Sequence, residues 1–156
     1  MSLDPAVLRA LIRDTLTPLG LYSTDAEELL MATAANESHL GEYRLQIGGP
    51  AIGIFQDEPE DFADLYANFL AYRPELRARV DVLSTVHTAQ DLENNDPYAI
   101  AICRCHYLRA PEALPAATDF FAIYDYYKRF YNSYEGAANQ EAFAACYKRY
   151  VLGMPV

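Results

Sequence analysis

The sequence predicts a mostly α-helical domain of roughly seven helices, with one short β-like loop or hairpin around residues 42–56. Apolar residues recur at intervals of three and four along most of the chain, which is the spacing of a helix buried on one side. Glycines cluster early, at Gly41, Gly48, Gly49 and Gly53. With 156 residues, 52% of them hydrophobic, the chain can bury its own core, so we predict a single domain over residues 1–156.

Two helices are predicted before the glycine cluster. The first begins at Asp4-Pro5, because proline suits the first helical turn, and ends before Pro18. The second is predicted to open with a capping box at residues 24–27, with Thr24 as the cap, and to end at Gly41. Its middle, LLMATAA at residues 29–35, is apolar or small on every side, so we expect this helix to be buried nearly all round.

The glycine-rich residues 41–57 predict turns and short extended segments, and helices are predicted again after them. Glu58-Pro59 begins a helix that ends near Arg73-Pro74, and residues 75–83 form a shorter one. Thr88 with Asp91 is predicted to cap a turn.

The last third of the chain is predicted to contain three helices. Asp96-Pro97 follows a polar run and caps a helix from Tyr98 to Arg109. An unusually aromatic helix runs from about residue 118 to 131, and the last helix begins at Asn139.

Composition excludes several classes of function. The formal charge of −10 argues against nucleic acid as a partner, because phosphate binding needs clustered Lys or Arg. No run of 18 apolar residues predicts a membrane span. The N-terminus lacks the basic region of a signal peptide, which predicts synthesis in the cytoplasm without one. The chain has three cysteines, Cys103, Cys105 and Cys146, and an odd number is typical of a protein in a reduced compartment. The spacing of these cysteines and His106 does not fit the ligands of a zinc site. No metal or cofactor is therefore predicted.

Glu37 is the candidate for chemistry. It lies near the C-terminal end of the predicted core helix, where partial desolvation and the negative end of the helix dipole both raise the pKa of a carboxyl group. A carboxyl group that stays protonated near neutral pH can act as a general acid. Taken alone, the same residue is also consistent with a structural carboxylate that backbone N–H groups or an arginine satisfy.

Three motifs favour the general acid over the structural carboxylate. They follow in order along the chain: Glu37-Ser38, then Gly53-Ile54-Phe55-Gln56, then Tyr131-Asn132. The set resembles the goose-type lysozyme and soluble lytic transglycosylase superfamily. Asp96-Pro97 followed by Tyr107-Leu108 looks similar to a further helix of that family, and Glu58-Pro59 after the glutamine resembles phage-encoded wall-lytic proteins. The chain departs from the family pattern at Asp57, where an apolar residue is usual, and at Ser133-Tyr134 after the asparagine.

The resemblance implies a lysozyme-like fold and cleavage of the β-1,4 bond between N-acetylmuramic acid and N-acetylglucosamine in peptidoglycan. Glu37 is the implied general acid and base. The implied substrate-binding residues are Ser38, Gly53, Phe55, Gln56, Tyr131 and Asn132, to which we add Tyr127 because the 13 tyrosines suit sugar stacking. Alternatives stay open: Ser38 bonding back into its own helix, Gln56 fixing its loop, and Tyr131 as a core aromatic.

A hydrolase would place a second carboxylate about 5 Å or about 6.5–9.5 Å from the acid, depending on stereochemistry. The candidates are Glu42, Asp57, Glu58 and Asp61, of which we single out Asp57 and Glu58; the alternatives are a solvated Asp57 or Asp61 and a helix-capping Glu58. A lytic transglycosylase, as the resemblance implies, needs no second carboxylate. We expect peptidoglycan glycan strands as partners, together with phage virion proteins, and action on the periplasmic wall after phage release or virion delivery. The alternative is a catalytically inactive lysozyme-fold protein that binds peptidoglycan or serves as a virion structural protein.

Overall fold

Helices dominate the computed structural model, which describes residues 1–132 and 139–155. The α-helices in these ranges are α1 (Pro5–Leu16), α2 (Thr24–Ser38), α3 (Pro59–Asn68), α4 (Pro74–Asp81), α5 (Asp96–Leu108), α6 (Phe120–Phe130) and α7 (Gln140–Cys146). The 3₁₀ turns Leu70–Tyr72 and Ala89–Glu93 and a π-helical turn at Tyr147–Val151 complete the helical elements. The predicted mostly α fold is confirmed.

The predicted β-like hairpin is reduced to single bridges. Leu45 pairs with Ile52 and Ile52 with Asp57, both antiparallel, and no sheet forms among the described residues. Glycine-rich turns on either side of Ile52 leave too few paired residues for a ladder to extend. This short loop is held to the helices by Arg44, which donates to both carboxylate oxygens of Asp96 at 2.6 and 3.0 Å and to the Glu93 carbonyl at 2.9 Å.

Helices α2 and α5 form the centre of the fold. As predicted, every residue from Leu29 to Ala35 is buried, and α2 contacts α1, α5, α6 and α7. Nine residues of α5 are buried, and the Tyr107 hydroxyl lies 2.8 Å from the Thr33 hydroxyl in the core. Near the C-terminal end of α2, Asn36 and Glu37 are partly exposed, so Glu37 lies where the buried helix meets the surface.

Both ends of α2 differ from the prediction. Its N-cap is Ser23, whose hydroxyl accepts from the Ala26 amide at 3.0 Å, and not Thr24. Glu27 accepts from Arg9 at 2.9 Å and does not return to the cap. The helix ends at Ser38, and its left-handed cap is His39 and not Gly41: His39, Leu40 and Gly41 all have positive φ, so the chain reverses two residues early.

The capping predictions elsewhere had mixed outcomes. Asn95 accepts from the Tyr98 amide and Asn139 from the Ala142 amide, so the starts of α5 and α7 lie close to where the sequence predicts them. Glu58 and Thr88 stand at N-cap positions but make no capping bond with their side chains. None of the described helices combines the length and the apolar character that a membrane span requires.

Candidate active site

A cleft of about 690 Å³ opens beside the C-terminal end of α2. Its walls come from α2, from the turn at residues 53–57, from α3 and α5, and from the end of α6. The lining is mostly polar and contains five carboxylates. The lining residues are Glu37, Gln46, Ala51, Gln56, Asp57, Glu58, Asp61, Asp64, His106, Arg109, Phe130, Tyr131 and Asn132.

The carboxylate of Glu37 is held by hydrogen bonds from two neighbouring groups. The Tyr127 hydroxyl donates to Glu37 Oε1 at 2.8 Å, and it accepts in turn from Asn36 Nδ2 at 2.9 Å. The side chain of Asn132 also hydrogen-bonds Glu37, and Lys128 Nζ donates to Asn132 Oδ1 at 3.0 Å. Each donor is therefore itself oriented by a second residue, so Glu37 is fixed in one direction at the cleft wall.

Burial raises the pKa of Glu37 above the ordinary value of 4.5. The negative charge of Glu58 also raises this pKa, whereas the hydrogen bonds from Tyr127 and Asn132 and the charge of Lys128 lower it. Desolvation of the charged form is the largest of these effects, so the raised pKa has the cause that the sequence predicts. The result is a carboxyl group that holds its proton to higher pH than a solvated one.

The predicted motif residues around Glu37 do lie together, but several of them bind each other. Ser38 Oγ is fully buried, donates to the Ile54 carbonyl at 2.6 Å, and accepts from the Gly41 amide at 2.8 Å. The Tyr131 hydroxyl donates to the Phe55 carbonyl at 2.6 Å. Ser38 and Tyr131 thus fix the turn at residues 53–56 from both sides.

This arrangement corrects three predicted substrate contacts. Ser38 and Phe55 are buried under the cleft surface, and Ser38 also back-bonds to the Ala34 carbonyl, which was its alternative role. Gly53 has a φ of +85°, and a Cβ there would lie 2.5 Å from the Leu92 carbonyl oxygen. These residues shape the turn, and none of them lines the cleft.

Gln56, Tyr131 and Asn132 line the cleft as predicted. Gln56 Nε2 also donates to the Tyr43 and Gly53 carbonyls, at 3.2 and 3.0 Å, so its loop-fixing alternative is present as well. Tyr127 does not line the cleft: it is fully buried and reaches Glu37 from behind, so it orients the carboxylate and is not a sugar-stacking surface. Ser133 and Tyr134 lie outside the described residues.

The two candidate second carboxylates differ in environment. Asp57 is only 6% exposed, and both of its oxygens lie close to His106 Nε2, at 3.0 and 3.1 Å, so its solvated alternative is wrong. Glu58 is exposed and lines the cleft without capping α3, so its capping alternative is wrong too. Burial and the charge of Asp57 raise the pKa of Asp61.

Sequence reasoning did not find four of the functional neighbours. They are Asn36, His106, Arg109, which donates to Asp64 at 2.7 Å, and Lys128. Spacing gave a signal for one of them: Lys128 lies four residues before Asn132, so the two share a side at the end of α6.

In the described part of the chain, no three His, Cys, Asp or Glu side chains are grouped so as to hold a metal ion. The three cysteines are free thiols. Comparison of the chain with models of protein families, with curated proteins and with solved structures found no match. The geometry of the cleft and the motif resemblance are therefore the basis for a proposed function.

Proposed function

We propose that this protein cleaves the β-1,4 glycosidic bond between N-acetylmuramic acid and N-acetylglucosamine in peptidoglycan, as a muramidase or a lytic transglycosylase. One observation carries the proposal: Glu37 has a raised pKa and two oriented hydrogen-bond donors, and it lies in the wall of a polar cleft of about 690 Å³. A cleft of this size accommodates a ligand of several rings.

The chemistry follows from the protonation state of Glu37. Breaking a glycosidic bond requires a proton on the leaving oxygen, and the neutral Glu37 carboxyl group is the donor. Once it has given up this proton, Glu37 is a carboxylate that the Tyr127 hydroxyl stabilises, and it can then act as a base. It would accept a proton either from a water, which gives a hydrolysed sugar, or from the 6-hydroxyl of muramic acid, which closes an anhydro ring.

Substrate recognition is proposed for the residues that line the cleft next to Glu37. Gln56 and Asn132 carry amide groups that can donate to and accept from the N-acetyl groups of the glycan. Tyr131 offers part of an aromatic ring, with its hydroxyl already bonded to the Phe55 carbonyl. An amide and an aromatic surface together suit an N-acetylated sugar.

Substitution of Glu37 by Gln tests this function. We expect Glu37→Gln to reduce the release of soluble fragments from purified peptidoglycan by about 10²–10⁴-fold, because glutamine cannot donate the proton. Zymography and clearing of wall suspensions measure the effect. Glu60→Gln is the matched control, since Glu60 is exposed and does not line the cleft. An inactive wild type, or a fully active Glu37→Gln variant, would contradict the proposal.

A second candidate is a catalytically inactive protein that binds the wall or forms part of a virion. The carboxylate-rich cleft and the formal charge of −10 favour the virion form of this candidate, because both weaken the attraction to anionic wall polymers. Binding of wall fragments by the wild type without release of muropeptides would select this candidate.

The route to the substrate is a proposal from the resemblance to phage wall-lytic proteins. We propose action on the periplasmic wall after phage-induced release or delivery within a virion, with virion proteins as partners in the second case. Detection of the chain in purified virions by mass spectrometry would separate these two routes.

A further inference from the structure

A second pair of titratable side chains lines the same cleft as Glu37. His106 Nε2 lies 3.0 Å from Asp57 Oδ1 and 3.1 Å from Oδ2. The two side chains are only 12% and 7% exposed, respectively, yet both contribute to the cleft wall. The pair is therefore shielded from bulk water but open to whatever occupies the cleft.

Rigid elements hold both members of the pair. Asp57 closes the turn at residues 53–56, and its backbone exchanges hydrogen bonds with Ile52 at 2.9 and 3.0 Å. His106 lies in the last turn of α5, and its ring packs edge-on against Tyr131 at 6.1 Å between centroids. The distance between the imidazole and the carboxylate is consequently set by the backbone and by packing.

Cohesion between the turn and α5 does not explain this choice of residues. Burying a carboxylate and an imidazole costs desolvation energy, and in proteins an apolar pair of similar volume often gives equal or greater stability than a buried ion pair. The pair has a property that apolar residues lack. When Nε2–H donates to a carboxylate, the tautomer of the ring is fixed and Nδ1 carries the lone pair that can take a proton.

We propose that His106 is a catalytic base that activates water in this cleft, with Asp57 as its positioning residue; this inference rests on the function proposed for Glu37. Water attacks the anomeric carbon and forms the new C–O bond while its proton passes to His106 Nδ1. The glycosidic C–O bond breaks, and the leaving oxygen takes the proton of Glu37. The imidazolium then returns its proton through solvent to the Glu37 carboxylate, so that both groups are restored.

The consequence is a choice between the two products that Glu37 alone leaves open. A base that activates water directs the reaction to hydrolysis, so the major product ends in a reducing sugar that carries one oxygen from water. Ring closure onto the 6-hydroxyl takes no oxygen from water. The role of His106 is therefore visible in the products as well as in the rate.

Digestion of purified peptidoglycan in ¹⁸O-water, followed by mass spectrometry of the muropeptides, tests the inference. For the wild type we expect mainly ¹⁸O-labelled reducing ends. For His106→Gln we expect labelled ends to fall by about 100-fold or more, and unlabelled anhydro ends to become the major product. Asp57→Asn keeps a hydrogen-bond acceptor without the charge, and we expect a smaller fall of about tenfold. His87→Gln, on an exposed residue outside the cleft, is the matched control and should keep the wild-type product ratio.

The results separate this inference from the proposed function. Only anhydro ends from the wild type, abolished by Glu37→Gln, would overturn the inference and leave the proposed function standing. Wild-type amounts of labelled ends from His106→Gln would overturn it as well. If neither variant folds, mainly unlabelled anhydro ends from the wild type would still overturn the inference. Failure of the wild type to release any fragment would overturn both proposals.

Discussion

At the scale of single residues, the desolvated carboxylate of Glu37 lowers the stability of the fold. Its carboxyl group is desolvated at the end of a buried helix, and the donors that hold it do not cancel the rise in its pKa. A group with a raised pKa in the folded state binds its proton more tightly there than in the unfolded chain. Folding is therefore favoured by the protonated form.

This linkage predicts a pH-dependent effect of Glu37→Gln on stability. The contribution of the protonated carboxyl group is complete below the unfolded pKa, near 4.5, and is lost as pH rises through the folded pKa. Because glutamine never ionises, we expect the variant to be more stable than the wild type at neutral pH, with a difference that shrinks toward about pH 4.

Thermal unfolding of both proteins at several pH values between about 4 and 8 measures this difference. The exposed Glu60→Gln serves as the control for the loss of one negative charge. A Glu37→Gln variant less stable than the wild type at neutral pH would mean that the hydrogen bonds of the ionised Glu37 outweigh its desolvation.

At the scale of elements, the turn at residues 53–56 leaves little room for substitution. Its backbone takes positive φ at Gly53 and again at Gln56, and the buried Ser38 and Tyr131 hydroxyls hold its carbonyl groups. The turn carries Gln56, leads into Asp57 and is bonded to Ser38 next to Glu37, so its shape determines this side of the cleft.

We expect Gly53→Ala to destabilise the fold by about 3 kcal/mol or more, because the strained backbone and a displaced Leu92 carbonyl add up. Gly20→Ala is the matched control: Gly20 also has a positive φ, of +70°, but no atom lies within 4 Å of a Cβ there. For that variant we expect a loss of only about 1 kcal/mol. Urea unfolding at equilibrium measures both values. Equal losses would show that the contact with Leu92 costs nothing.

At the scale of the whole molecule, the negative charge of the protein opposes its association with the proposed substrate. The chain carries a formal charge of −10, and five of its carboxylates line the cleft together with His106 and Arg109. Walls that carry anionic polymers would therefore repel the protein at long range. Binding has to come from the cleft itself, at distances where hydrogen bonds act.

We therefore expect added salt to accelerate the digestion of walls that carry anionic polymers, up to about 0.15 M, where the Debye length is about 8 Å. Walls stripped of these polymers are the control, and for them we expect little dependence on salt. Initial rates of clearing across a salt series provide the measurement. A steady decrease of the rate on both substrates would contradict this account and would indicate an attraction between opposite charges.

Local patterns in the sequence were sufficient to predict that the helices form and that Glu37 lies near the end of a buried one. The run LLMATAA has no polar side, so it can only be buried, and the residue that ends such a helix must lie where the core meets the surface. The raised pKa of Glu37 follows from that position. Gly53 was enough to predict a turn at residues 53–56, but the sequence did not predict the positive φ at Gln56 or the close approach of Gly53 to the Leu92 carbonyl.

Only the tertiary structure decided which side chains meet. Tyr127 and Tyr131 lie four residues apart in sequence, so periodicity alone cannot tell which hydroxyl reaches Glu37 and which reaches the Phe55 carbonyl. Which hydroxyl reaches Glu37 depends on the position at which α6 packs along the length of α2. The pairing of Asp57 with His106, 49 residues away, likewise depends on how α5 packs against the turn. Sequence patterns record which side of an element is buried, whereas the partner across the contact is set by the packing of elements distant in the chain.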